Sequence, residues 1–152
     1  MALFDFGQKR REREAKQAAR EMVNRGIDLY ESEKFEEAFS LFQKAAQTGD
    51  IAAWHCIGVA YYEGKGATGN KKEAYRYFQK AAEAGYEPAA GMVTRMQQEA
   101  EQVKIQLSKA KAAWNEKDYD TCFALLKPLA EYGNPVAQGL LAGMYVGGRG
   151  VQ

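Results

Sequence analysis

Histidine occurs once in this 152-residue chain, at His55, and Cys56 follows it directly. An imidazole beside a thiol is the smallest set that makes an activated nucleophile. Neighbours on a helix point about 100° apart, however, so this pair does not face itself. Cys122 has no histidine beside it, and no Ser/His/Asp set can be assembled around a single imidazole. The run Gly64-Lys65-Gly66-Ala67-Thr68-Gly69-Asn70-Lys71 has the glycines of a phosphate loop. Its lysine precedes the wrong glycine and no strand leads into it. Carboxylates do not cluster at metal-ligand spacing. These residues predict no enzyme, no metal site and no cofactor.

What remains is the chemistry of surfaces. Between Lys9 and Arg25 stand seven basic and three acidic residues, a net +4 in a chain whose total is +1. Lys9, Arg10, Arg11, Arg13, Lys16 and Arg20 form the candidate electrostatic patch. Ala15, Ala19, Met22 and Val23, followed by Gly26, Ile27 and Tyr30, make an apolar helical stripe beneath it. Residues 1–25 read as a basic capping helix with a solvated face, or as a dock for an acidic partner, anionic lipid or nucleic acid. Nucleic acid is the least favoured, because no aromatic residue interleaves the basic run. Leu3, Phe4 and Phe6 ahead of it read as a short hook or a tucked terminus.

The elements that hold these surfaces are helices. Ala occurs 25 times against 15 for Val, Ile and Thr together, and there are only three Pro. That bias is all-α. No run approaches the ~20 apolar residues of a membrane helix. Two cysteines without a C-x-x-C pattern suit a reducing compartment, and a cytoplasmic chain is expected.

A repeat organises the chain. Glu37-Ala38-x-x-x-Phe42-Gln43-Lys44-Ala45-Ala46-x-x-Gly49-x-x-x-Ala53 returns 36 residues later as Glu73-Ala74-x-x-x-Phe78-Gln79-Lys80-Ala81-Ala82-x-x-Gly85-x-x-x-Ala89. A third copy, 84 residues after the first, keeps Phe123, Leu125, Ala130, Gly133, Ala137, Tyr145, Gly148 and Gly150. Gly49, Gly85 and Gly133 suit left-handed helix ends. Asp50 and Asn134 suit N-caps, and Pro88 and Pro135 suit first helical turns.

With Ile57-Gly58-x-x-Tyr61-Tyr62-x-Gly64-x-Gly66 added, the pattern resembles the Sel-one-like repeat, a relative of the tetratricopeptide repeat. The third copy, Leu126-Lys127-Pro128-Leu129-Ala130-Glu131-Tyr132-Gly133-Asn134 with Gly147-Gly148-Arg149-Gly150-Val151, is similar to bacterial members. Gly26, Tyr30, Phe35 and Ala38 match tetratricopeptide spacing, and Ala110, Trp114, Tyr119 and Cys122 take those places in the third copy. The resemblance implies a protein–protein interaction module or scaffold. The expected fold is a right-handed α-solenoid of antiparallel helix pairs, about seven helices in all. Residues 26–152 are its repeat domain, with copies near 26–66, 71–93 and 110–152.

Residues 94, 97 and 100, expected by that pattern to be Gly, Tyr and Gly, are Thr94, Gln97 and Ala100. The loop is lost, which predicts one long helix near 88–117. Val93, Met96, Ala100, Val103, Leu107, Ala110 and Trp114 form an apolar stripe along it. That stripe packs on the chain's own helices or serves self-association. Pro128 should kink its helix. The third copy stops at Gly150-Val151-Gln152, where a further helix would begin, so either the chain continues or a partner covers this edge.

Binding is expected on the concave face. His55, Val59 and Tyr62 share a face of the helix from Asp50 to Glu63, with Trp54 beside them, and read as an exposed contact row for a protein or peptide partner. The alternative is that Trp54 and Tyr62 pack on the next helix. The third-copy counterparts of His55, Val59 and Tyr62 are Gly139, Gly143 and Val146, which are small; this predicts a shallower, wider groove there and favours contact near the first copy.

Overall fold

The computed structural model describes residues 2–149, with side chains from residue 6 onward. Among the described residues there are seven helices and no strand: α1 (Ala2–Glu31), α2 (Phe35–Gln47), α3 (Ile51–Glu63), α4 (Lys71–Glu83), α5 (Glu87–Asn115), α6 (Tyr119–Glu131) and α7 (Pro135–Val146). These helices pair α1 on α2, α2 on α3, α3 on α4 and α6 on α7, across three-residue turns except for the seven-residue loop between α3 and α4. The fold is an all-α solenoid of helix pairs. The chain divides into two compact units, residues 1–95 and 96–152. Leu3 and Phe4, and the chain end at Gly150-Val151-Gln152, lie outside the described side chains or residues.

The turns follow from the residue types. Asp50 accepts the Ala53 amide at 2.9 Å, Asn70 that of Glu73 at 3.1 Å, and Asn134 that of Ala137 at 3.0 Å. Each satisfies an amide that the first helical turn leaves without a partner. Gly49, Gly85 and Gly133 close the preceding helices at φ of 83°, 91° and 82°. The expected long helix is α5, unbroken from Glu87 to Asn115, with Pro88 in its first turn. Pro128 lies inside α6, which continues through it to Glu131. The bond that Pro128 cannot donate would have run to the Ala124 carbonyl, so one acceptor inside α6 loses its helical partner.

In the first unit the core is built from small residues meeting aromatic ones. Ala38, Phe42 and Ile57 form one buried cluster, and Ala19, Val23, Ala45 and Ala53 another. A Cβ added at Gly26 would come within 2.5 Å of the Phe42 ring, and one at Gly58 within 2.7 Å of the Phe78 ring. These glycines are the seats of the two repeated phenylalanines. In the second unit Ala110, Ala113, Cys122, Leu126, Leu129, Ala137, Leu141 and Met144 form the core. Val103, Leu107 and Trp114 pack against it, so the lower half of the α5 stripe is used inside the unit.

The third copy repeats the first in detail. Tyr30 meets Phe35 edge-on at 4.9 Å, and Trp114 meets Tyr119 edge-on at 5.4 Å. Phe39 and Tyr61 lie 5.6 Å apart at 85°, and Phe123 and Tyr145 5.9 Å apart at 85°. Lys65 caps Phe35 at 5.2 Å, and Arg149, 84 residues on, caps Tyr119 at 5.8 Å. Glu33 and Lys117, also 84 apart, share the left-handed conformation at φ of 60° and 62°.

Gly66 tests the inter-repeat turn. It sits at φ 76°, and an added Cβ would meet the Phe35 carbonyl, its carbon at 2.8 Å. Gly66→Ala is expected to destabilise by about 2–4 kcal/mol, since strained backbone and overpacking add. Gly91, helical with open space around it, is expected to gain about 0.5–1 kcal/mol on change to Ala. Denaturant unfolding of both variants checks the pair.

Candidate functional site

The row expected on α3 is not exposed: His55, Val59, Tyr62 and Trp54 are each half-buried. His55 stands between the rings of Phe78, 5.3 Å away, and Tyr86, 5.2 Å away. Tyr62 meets Phe78 edge-on at 6.5 Å and lies under Lys71 and Arg95. Lys80 sits 3.9 Å over the Trp54 ring. The reason is the repeat itself, because this face of α3 receives α4 and the turn that follows it. Packing on the next helix, the alternative open in the sequence, describes Trp54 and Tyr62.

Burial sets the electrostatics of this region. It lowers the His55 pKa below the ordinary 6.5, and Nδ1 is buried without a hydrogen-bond partner among the described residues. Burial, then the Asp50 charge, pushes the Cys56 thiol up to about 11. Burial also raises Cys122. Both thiols are therefore protonated at neutral pH and poor nucleophiles. Tyr30 is raised by burial and by donating to Glu63 at 2.9 Å. Among the described residues no three His, Cys, Asp or Glu stand together as metal ligands.

His55 gives a pH prediction. The folded chain favours neutral imidazole, whereas the unfolded chain takes up a proton near 6.5. Stability is thus full above that value and falls as pH drops below it. With one histidine in the chain, His55→Phe is expected to remove the slope. It should also gain about 1 kcal/mol by deleting an unpaired buried nitrogen. Melting temperatures between roughly pH 5.5 and 7.5 read both effects.

An apolar groove lies in the second unit. It encloses about 710 Å³ between α5 and α7 over a floor of Cys122 and Leu126. Leu107, Ala110 and Trp114 form the α5 wall, and Val136, Gly139, Leu140 and Gly143 the α7 wall. Lys111 and Arg149 stand at its rim. Val136 and Leu140 are 54% and 47% exposed. An added Cβ at Gly139 or Gly143 would meet nothing within 4 Å.

Comparison with the first copy explains the opening. Where the first copy has Phe42, His55 and Val59, the third has Leu126, Gly139 and Gly143. Three side chains that fill space in one copy are shortened or absent in the other. The sequence showed both glycines as small counterparts of the row. It did not show that Val136 and Leu140 would stay exposed beside them.

Paired helices within each unit define a helical-repeat fold. The Sel1 repeat family model matches residues 21–50 and 56–86. The chain thus carries Sel1-like repeats, of the tetratricopeptide-like superfamily, over those residues. No curated protein matches it. Sel1 repeats generally mediate protein–protein interaction, and the family is typically non-enzymatic. No helix among the described residues is long and apolar enough to cross a membrane.

Proposed function

We propose that this protein is a non-enzymatic binding module whose α5–α7 groove takes an apolar side chain from a protein segment. The observation that carries the reading is the open, apolar space beside Gly139 and Gly143. Trp114 supplies a rigid aromatic wall, the residue type that contributes most at interfaces. Lys111 and Arg149 at the rim favour a carboxylate flanking the apolar anchor. A pre-formed groove also lowers the ordering cost of docking. The α3 row remains part of the proposal as a secondary surface, since Trp54 and Tyr62 are only half-buried.

The test is a displayed random peptide library panned on the protein, with Gly139→His/Gly143→Val as counter-bait. Sequences held by the protein and lost on the counter-bait, with an aromatic or aliphatic residue beside Asp or Glu, are expected. Sequences held equally by both contradict the groove. Light scattering distinguishes self-association, because a mass that rises with concentration favours the alternative of a self-assembling protein.

A further inference from the structure

A second surface, in the first unit and independent of the α5–α7 groove, follows from α1. Every side chain from residue 6 to residue 18 is exposed. An exposed helix of that length is marginal in water by itself. Its charges are sorted by face. Lys9, Arg13, Lys16 and Arg20 follow one another at spacings of four, three and four, within about 60° of one line along the helix. They span about 16 Å. The three glutamates of the segment are engaged elsewhere. Glu12 accepts from Gln8 at 3.5 Å, Glu14 pairs with Arg10 at 3.1 Å, and Glu21 accepts from Gln17 at 3.1 Å. Arg13, Lys16 and Arg20 thus lie on an exposed face, and Glu14 is paired with Arg10.

The row ends in a groove. Arg13, Lys16 and Arg20 form the wall of a space of about 670 Å³ between α1 and the start of α3. Buried Ala19 and Val23 lie in its floor, Ile27 continues the line of the row at 39% exposure, and Ala52 and Tyr86 close the far side. The cations thus border apolar surface along the same line.

We propose that this row and groove dock an acidic amphipathic helix of a partner protein. Carboxylates at the complementary spacing meet Arg13, Lys16 and Arg20, and an apolar side chain enters the groove beside Ile27. Charge complementarity selects an acidic occupant, and the apolar floor selects among acidic ones. A bilayer surface is flat and does not enter a groove, and a nucleic-acid backbone has no use for an apolar floor. Asp50 in the same groove disfavours a uniformly charged polyanion.

The experiment titrates the full chain with a labelled synthetic helix of roughly 16 residues, with Glu at the matching spacing and Leu along one flank. A scrambled peptide of the same composition, phosphatidylserine/phosphatidylcholine vesicles and oligothymidylate serve as competitors. The amphipathic helix is expected to bind about tenfold more tightly than the scramble, and to weaken with salt. It should be lost on Arg13→Glu/Lys16→Glu/Arg20→Glu, and a peptide with Lys in place of Glu should bind that variant. These positions are exposed, so unchanged melting is expected in the variant. Ile27→Ser should remove the preference over the scramble without removing the salt dependence. No binding of the helix, equal binding of the scramble, or tighter binding of vesicles or oligothymidylate overturns the proposal.

Discussion

Phe42→Ala is expected to destabilise the first unit by about 3–5 kcal/mol, the range for deleting a buried aromatic ring. Phe42 is 2% exposed and lies directly over Gly26. Its loss opens a cavity between α1, α2 and α3 that rigid helix backbones cannot collapse to fill. Gly26→Ala is expected to cost about 1–3 kcal/mol for the opposite reason, since the new methyl meets the ring and overpacks the same space. The two changes are coupled. In the third copy the corresponding pair is Ala110 with Leu126, a larger seat under a smaller side chain. Gly26→Ala/Phe42→Leu should therefore cost less than the sum of its parts. Urea unfolding of the four chains measures the coupling directly, and strict additivity would remove the seat-and-ring account of the repeat.

The second large effect is functional. Gly139→His/Gly143→Val gives the third copy the side chains of the first at those positions. Both sites are open, so the fold is not overpacked, and replacing two helical glycines should stabilise α7 by a few tenths of a kcal/mol each. Affinity for a groove-binding segment should fall by roughly 30-fold or more, about 2 kcal/mol, the loss typical of an interface anchor. A variant that melts no lower yet binds much more weakly separates occupation of the groove from damage to the fold.

Much of the architecture was legible in the residues. Repeated Ala and Phe at helical spacing, glycines at helix ends, and Asp50 and Asn134 as caps determine where helices begin, end and pair. Loss of Gly, Tyr and Gly at positions 94, 97 and 100 was enough to place one continuous helix near 88–117, and α5 runs from Glu87 to Asn115. The candidate surfaces were less legible. A helical wheel gives the face on which His55, Val59 and Tyr62 lie, but not the neighbour that meets that face. The rings of Phe78 and Tyr86 come from elsewhere in the chain and cover His55. Likewise, small residues at Gly139 and Gly143 suggest a shallow surface when read alone. Set against Leu126, Trp114 and Leu107 in space, the same small residues leave a groove.

The most direct test of the central claim is an amide NMR titration of the labelled protein with a peptide recovered from the library. The account predicts that the Gly139 and Gly143 amides and the Trp114 indole shift first and saturate together. Shifts confined to α3 or α1, with those three signals unmoved at saturation, would contradict it.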